Sequence, residues 1–200
     1  MSVAMKLEDT TEATSDDALV EQYRSAGERA CADELLKRHL GRIWNVVNAM
    51  VTNAADTDDI VQDVALKAFR GLDQFRGQSS FSTWIHRIAV NTTLRFLDQR
   101  KRLPRNLTVN ECASTRELRP SANSHSTPEA AAINVELEQA LQAGIASLKP
   151  SLRTVIALVV IDGMPPQQVA EIEGCSVNTI YWRVHEARKA LQVSLAEYLS

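Results

Sequence analysis

Two hundred residues, 44% of them apolar and 24% charged, suffice for one domain or two small ones with buried cores and exclude wholesale disorder. A formal charge of −3 excludes a surface built all round for nucleic acid, so any affinity for phosphate must come from local Lys/Arg patches and should be weak in the isolated chain. No apolar run approaches the roughly 20 residues that span a bilayer, and Cys31, Cys112 and Cys175 make no ligand pattern with His39, His86, His125 or His185, which argues against a zinc site and for a cytoplasmic protein with reduced thiols.

Residues 1–15 are polar and acidic, lack the apolar core of a secretory leader, and read as a disordered tail. Ala18, Leu19 and Tyr23, then Ala30, Leu35, Leu36, Ile43, Val46, Val47 and Met50, predict two helices with a break at Ser25-Ala26-Gly27. A third helix over Asp58–Leu72 turns Ile60, Val61, Val64, Ala65, Ala68, Phe69 and Leu72 inward and leaves Asp58, Asp59, Gln62, Asp63, Lys67 and Arg70 outside. A loop carrying Phe75, Arg76, Gly77, Gln78, Ser79 and Ser80 leads into a fourth helix, whose inward face is Phe81, Trp84, Ile85, Ile88, Thr92 and Phe96. On its other face Arg87, Asn91 and Arg95 stand in a row at i, i+4 and i+8, and the helix runs out into Arg100, Lys101 and Arg102. From Ile85 to Arg105 there are six Lys/Arg against one acid, Asp98.

Between residues 103 and 127 the chain is rich in Pro, Asn and Ser and has no period; a stretch of this length is unusual inside a compact domain and reads as a linker. Its few apolar residues imply two halves that are not welded together. A second helical block starts at Thr127-Pro128-Glu129, with Thr as N-cap and Pro at the first helical position, and shows an apolar stripe of Ile133, Leu137, Leu141, Ile145 and Leu148. Leu152–Ile161 has the β-branched content of a strand, but its helix-type start at Pro150-Ser151 and the lack of a pairing strand make it a buried helix. Then come a short helix at Pro166–Ile172, a tight turn at Glu173-Gly174-Cys175-Ser176 and a longer helix from Val177 to Leu191, the spacing of a helix-turn-helix. Ser176 is the expected N-cap, Ala170 the crossing point, and Ile180 and Val184 the inward residues. That leaves Asn178, Thr179, Tyr181, Trp182, Arg183, His185 and Arg188 for the exposed face. The fold class is all-α: two small helical domains, 16–102 and 128–200, on a flexible linker.

The runs Asp58-Asp59-Ile60-Val61-Gln62-Asp63, Phe75-Arg76-Gly77 and Phe81-Ser82-Thr83-Trp84-Ile85-His86-Arg87-Ile88-Ala89-Val90-Asn91-Thr92 closely resemble the promoter-melting domain of bacterial sigma factors, nearest their extracytoplasmic-function (ECF) group. The block from Ala140 to Leu191 resembles the −35-reading domain of the same family, in the family's order and after its linker. The resemblance implies a protein that catalyses nothing and needs no cofactor. It would direct core RNA polymerase to promoters, with promoter DNA, the polymerase and an anti-sigma factor as partners. It implies that Phe75, the loop Arg76–Ser80 and Asn91 hold an unstacked base of the non-template −10 strand, while Arg87, Asn91, Arg95, Arg100, Lys101 and Arg102 hold phosphates. It further implies that Asp58, Asp59, Gln62 and Asp63 dock on the polymerase, and that Ser176, Asn178, Thr179, Tyr181, Arg183 and Arg188 meet the −35 duplex. The recognition helix departs from better-known relatives, which often place arginines where this chain has Tyr181 and Glu186, so the sequence read there does not carry over. Trp182 has no assigned role.

Each residue also has a simpler reading. Acids near a helix start are favoured by the helix dipole, by about 0.3–1 kcal/mol each. Basic residues at a helix end complement the opposite pole. A Phe such as Phe75 is more often core than ligand wall. The rival function is a free-standing helix-turn-helix regulator with an N-terminal sensor or dimerisation bundle, in which Phe75-Arg76-Gly77 and the Trp84–Asn91 run would be unexpected. A helical enzyme lacks a nucleophile motif, a metal cluster or a phosphate loop.

Overall fold

The computed structural model describes residues 14–102 and 128–196, so the linker, the Thr127 cap and most of the expected tail lie outside the described residues. Helix α1 spans Asp16–Ala26 and begins where Ser15 Oγ accepts from the Ala18 amide at 3.2 Å, satisfying a donor that the first turn cannot. It ends at Gly27, as the sequence predicts. Helix α2, Arg29–Val51, is closed by Thr52 in the left-handed region (φ 61°), and Asn53 at once caps α3, Ala54–Gly71, by accepting from the Asp56 amide at 3.1 Å. A 3₁₀ turn, Leu72–Gln74, and a loop then lead to α4, Phe81–Arg102. Among the fully enclosed side chains of this half are Leu35, Ile43 and Val47 from α2, Val64 from α3, and Phe81, Ile85 and Ala89 from α4. One register correction applies: Ala30 is exposed, and Cys31 and Ala32 take the inward positions.

The second half comprises α5 (Pro128–Ser147), α6 (Pro150–Ile156), α7 (Pro166–Glu173) and α8 (Val177–Ser194). Among the described residues every regular element is helical. The strand-like stretch continues α6 as a wider π turn, Ala157–Ile161, closed by the Asp162 amide on the Ala157 carbonyl at 3.0 Å. Thr154–Leu158 are buried, but Val160 and Ile161 are exposed rather than core. The apolar stripe expected on α5 is likewise only half used: Ile145 and Leu148 are buried, while Leu137 and Leu141 face outward. Gly174, in the left-handed conformation (φ 63°), makes the helix-turn-helix turn, and Ser176 Oγ accepts from the Thr179 amide at 3.3 Å to start α8.

The two halves share buried surface through helix faces. Val46 and Met50 of α2 and Val90 of α4 share one buried cluster with Val155, Leu158, Met164, Val169, Ala170 and Ile180. Helix faces make the weld, so the composition of 103–127 never bore on it. This also corrects the face of α4: besides its expected inward stripe it buries His86, Val90 and Thr93, because the helix lies between two cores. Polar groups reinforce the joint. The Arg153 guanidinium donates to the Met50 carbonyl at 2.9 Å and to the Ala146 and Leu148 carbonyls, and so caps α2 and α5 together; burial pushes its pKa down.

Candidate nucleic-acid interface

The loop between α3 and α4 opens a cleft of about 370 Å³ lined by Gln74, Phe75, Arg76, Gln78, Ser79, Trp84, Arg87 and Glu171. Its floor is aromatic. Phe75 is only 6% exposed and lies 5.0 Å from Trp84 and 6.0 Å from Phe81, ring centre to ring centre. The rim is polar and rises from a loop whose path depends on Gly77 at φ 69°, a conformation in which a side chain would be strained. Ser80 starts α4: its Oγ accepts from the Thr83 amide at 3.1 Å and lies 2.9 Å from the Thr83 hydroxyl. An apolar floor under amides, a hydroxyl and a guanidinium suits a flat, polar-edged ring beside an anion.

From the cleft the exposed side of α4 leads away through Arg87, Asn91 and Arg95, one turn apart, so the row extends about 12 Å along the axis. Arg100 is paired with Asp56, which ties the end of α4 back to α3, while Lys101 and Arg102 are exposed. On α3, Asp58, Asp59, Gln62 and Asp63 form an exposed acidic face; Asp58 accepts from Trp44 Nε1 at 2.7 Å and Asp63 pairs with Lys67 at 3.0 Å. In the helix-turn-helix, Asn178, Tyr181, Trp182 and His185 are exposed at i, i+3, i+4 and i+7 and hence share one face, which Arg188 extends. Tyr181 and Trp182 are 54% and 60% exposed, too open for core residues. Arg183 turns inward to Glu173, 2.7 Å away and 12% exposed; burial raises the Glu173 pKa, and Arg183 offsets part of that.

The two halves match two family models in order: Sigma-70 region 2 over residues 35–103 and Sigma-70, region 4 over residues 138–191. The ECF RNA polymerase sigma-E factor of Escherichia coli K12 is 34% identical over 182 residues, which cover 90% of this chain and 94% of that protein. This chain belongs to the ECF sigma factors of RNA polymerase. The sigma-E factor of Haemophilus influenzae is 32% identical over an equal length. Among solved structures, the sigma factor resembles CnrH in complex with the cytosolic domain of CnrY (24% identity, TM-score 0.64, 91% of this chain and 97% of that one). It also resembles the Bartonella quintana sigma factor RpoE in complex with the anti-sigma factor NepR (23%, TM-score 0.63, 82% and 96%). Both likenesses concern the fold.

Of the residues singled out in the sequence of this sigma factor, Phe75, Arg76, Gln78, Ser79 and Arg87 converge on the cleft. Gly77 shapes the loop, Ser80 caps α4, and Asn91 and Arg95 lie one and two turns beyond Arg87. Three lining residues went unnoticed as such. Gln74 sits next to the recognised motif, and Trp84 was assigned wholly to the core. Glu171 is contributed by α7, from the other half of the sigma factor, and nothing in its neighbourhood could have pointed there.

Proposed function

We propose that this sigma factor gives core RNA polymerase its promoter specificity by capturing a base of the non-template −10 strand in the cleft and reading the −35 duplex with the exposed face of α8. The observation that carries this is the cleft itself, an aromatic floor with a polar rim at the head of the row Arg87, Asn91, Arg95. A flipped base stacks on such a floor, amides and hydroxyls meet its edge, and the guanidinium row follows its phosphates. Lys101 and Arg102 lengthen that track; Arg100 joins it on leaving Asp56. Asp58, Asp59, Gln62 and Asp63 dock on the polymerase. On α8, Asn178, Thr179, Tyr181 and Trp182 face the bases near the helix start, while Ser176 and Arg188 meet phosphates. Arg183 contributes by holding the turn through Glu173, and reaches DNA only by releasing it. The sigma factor catalyses nothing itself and works in the cytoplasm, where polymerase and chromosome are. An anti-sigma partner is supported by the solved relatives, one of which is held by the anti-sigma factor NepR.

The test is run-off transcription with purified core polymerase across a genomic promoter library, with and without this chain. Asn91→Ala leaves an exposed helix position and should reduce opening of duplex promoters by the factor of about 5 to 150 that a lost 1–3 kcal/mol of base contact implies. A template with a pre-melted −10 bubble should recover most of that loss. No promoter-specific transcript with the parent chain refutes the reading. An Asn91→Ala variant as active as the parent on duplex templates removes Asn91 from it.

A further inference from the structure

Two large aromatic side chains stand in solvent on the helix assigned above to duplex DNA. Of the chain's three tryptophans only Trp182 is exposed, and Tyr181 stands exposed beside it, whereas Trp44 and Trp84 are partly covered. Asn178 lies one turn before this pair and His185 one turn after it, so the four share a face. Among the described residues of the first two turns of α8 the one cation is Arg183, and Glu173 holds it at 2.7 Å, away from that face. Arg188 and Lys189 are exposed, but they lie about 15 Å further along the axis than Asn178.

This distribution limits which bases the face can tell apart. A helix-turn-helix meets base edges with the N-terminal residues of its second helix. In the major groove guanine is most often marked through O6 and N7 by a fork of guanidinium donors, adenine through N6 and N7 by a carboxamide, and thymine through its C5 methyl by an apolar surface. Asn178 supplies the carboxamide, and Tyr181 and Trp182 supply the apolar surface. The fork is missing from the base-reading turns because Glu173 occupies Arg183. The two cations at the far end suit phosphates flanking the groove, so the charge on this face complements a duplex.

We propose that α8 selects A·T pairs, with Asn178 paired to an adenine edge and Tyr181 and Trp182 set against the C5 methyls of neighbouring thymines. The proposal rests on the −35 reading above and assigns the chemistry that is read. The Asn178 amide donates to adenine N7 while its Oδ1 accepts from the N6 amino group. Trp182, an exposed ring with no role in the core, becomes a specificity-determining residue.

The experiment uses the full chain with core polymerase on the strongest promoter recovered from a genomic library, remade as synthetic duplexes. In one, every thymine of the −35 region is deoxyuridine, which keeps the pairing and removes the methyl; in another, the adenines there are 7-deazaadenine, which lacks N7. Uracil should weaken promoter binding about fourfold for each methyl in contact, and deazaadenine about fivefold or more. Trp182→Ala, first shown by circular dichroism to keep its helical content, should lose about fourfold on the thymine duplex and nothing on the uracil duplex. Trp182→Phe should restore the preference for the methyl, and Asn178→Ala should become indifferent to deazaadenine. A −35 region of G·C pairs alone, or modified duplexes bound as well as the parent duplex, overturns the inference while promoter-specific transcription leaves the sigma reading standing. An equal loss by Trp182→Ala on thymine and uracil duplexes also overturns it and makes the aromatic pair a protein contact. No promoter-specific transcript at all overturns both.

Discussion

The two halves of this molecule bury their apolar residues in different ways. Between α1 and α4 the enclosed residues face one another: Leu35, Ile43, Val64, Phe81 and Ile85 form a core that needs nothing from beyond residue 102. The second half has little that is its own. Leu148, Ile156 and Ala187 make a small private cluster, whereas Val155, Leu158, Val169 and Ile180 are enclosed together with α2 and α4. The face that stabilises the second half is one it shares with the first, and not one it could keep covered alone. The first half is therefore a scaffold, and the second is conditional on it.

The comparison predicts an ordered set of effects. Phe81→Ala removes a ring 2% exposed and set among His39, Phe75 and Trp84, and should cost about 3–5 kcal/mol. Because the second half leans on the first, a calorimetric scan should show the whole molecule melting lower, by about 6–20 °C. Leu158→Ala, on the shared side, should cost about 2–3 kcal/mol, the low end for a buried Leu, because the halves can part instead of holding a cavity. The scan should then split, with the first half melting almost where it did; a uniform shift of both would mean the halves are one cooperative unit.

An intermediate effect is expected from acid. Burial on its own would push the Asp162 pKa up, but the close approach of His86 and the hydrogen-bonded pair with Arg42 outweigh it and hold the carboxyl below its ordinary value. Its contribution is therefore complete above the ordinary aspartate pKa, about 3.9, and fades as pH falls through the depressed value. Scattering as pH falls below about 3.9 should show the halves parting in the parent, with no such step in Asp162→Asn. The smallest effect belongs to Ser176→Ala, which loses one cap at the start of α8 and should lower stability by about 1 kcal/mol, read in denaturant melts, without altering the first half.

What could be read in the sequence, and what could not, follows from the reach of each signal. The helices, the Gly27 break, the Ser176 cap and the helix-turn-helix rest on residues within a few positions of one another, and periodicity displays them. Polar and apolar alternation on α4 suggested one buried face, and it failed because a helix between two cores buries His86 and Val90 where one core would leave them wet. Phe75 had two readings, core or cleft, and the fold puts it in both, as a buried ring whose edge is a floor. Arg42, His86 and Asp162 carry no local mark of their meeting: 120 residues separate Arg42 from Asp162, and only the docked helices bring them together.

The π turn at Ala157–Ile161 gives a residue's place in the count as much weight as its identity. A wide turn accommodates one position more than an α-helical turn does, and each helical residue rotates the chain by about 100°. Deleting exposed Val160 would let the helix regularise to an ordinary turn, which makes the same rotation with one residue fewer, so Asp162 would keep facing Arg42; deleting a residue from the α-helical part of α6 would instead turn everything after it by that angle. A scan of single-residue deletions through 150–161 would therefore separate the two cases, with the alignment of the two halves kept when one residue is lost from 157–161 and scrambled when one is lost before it.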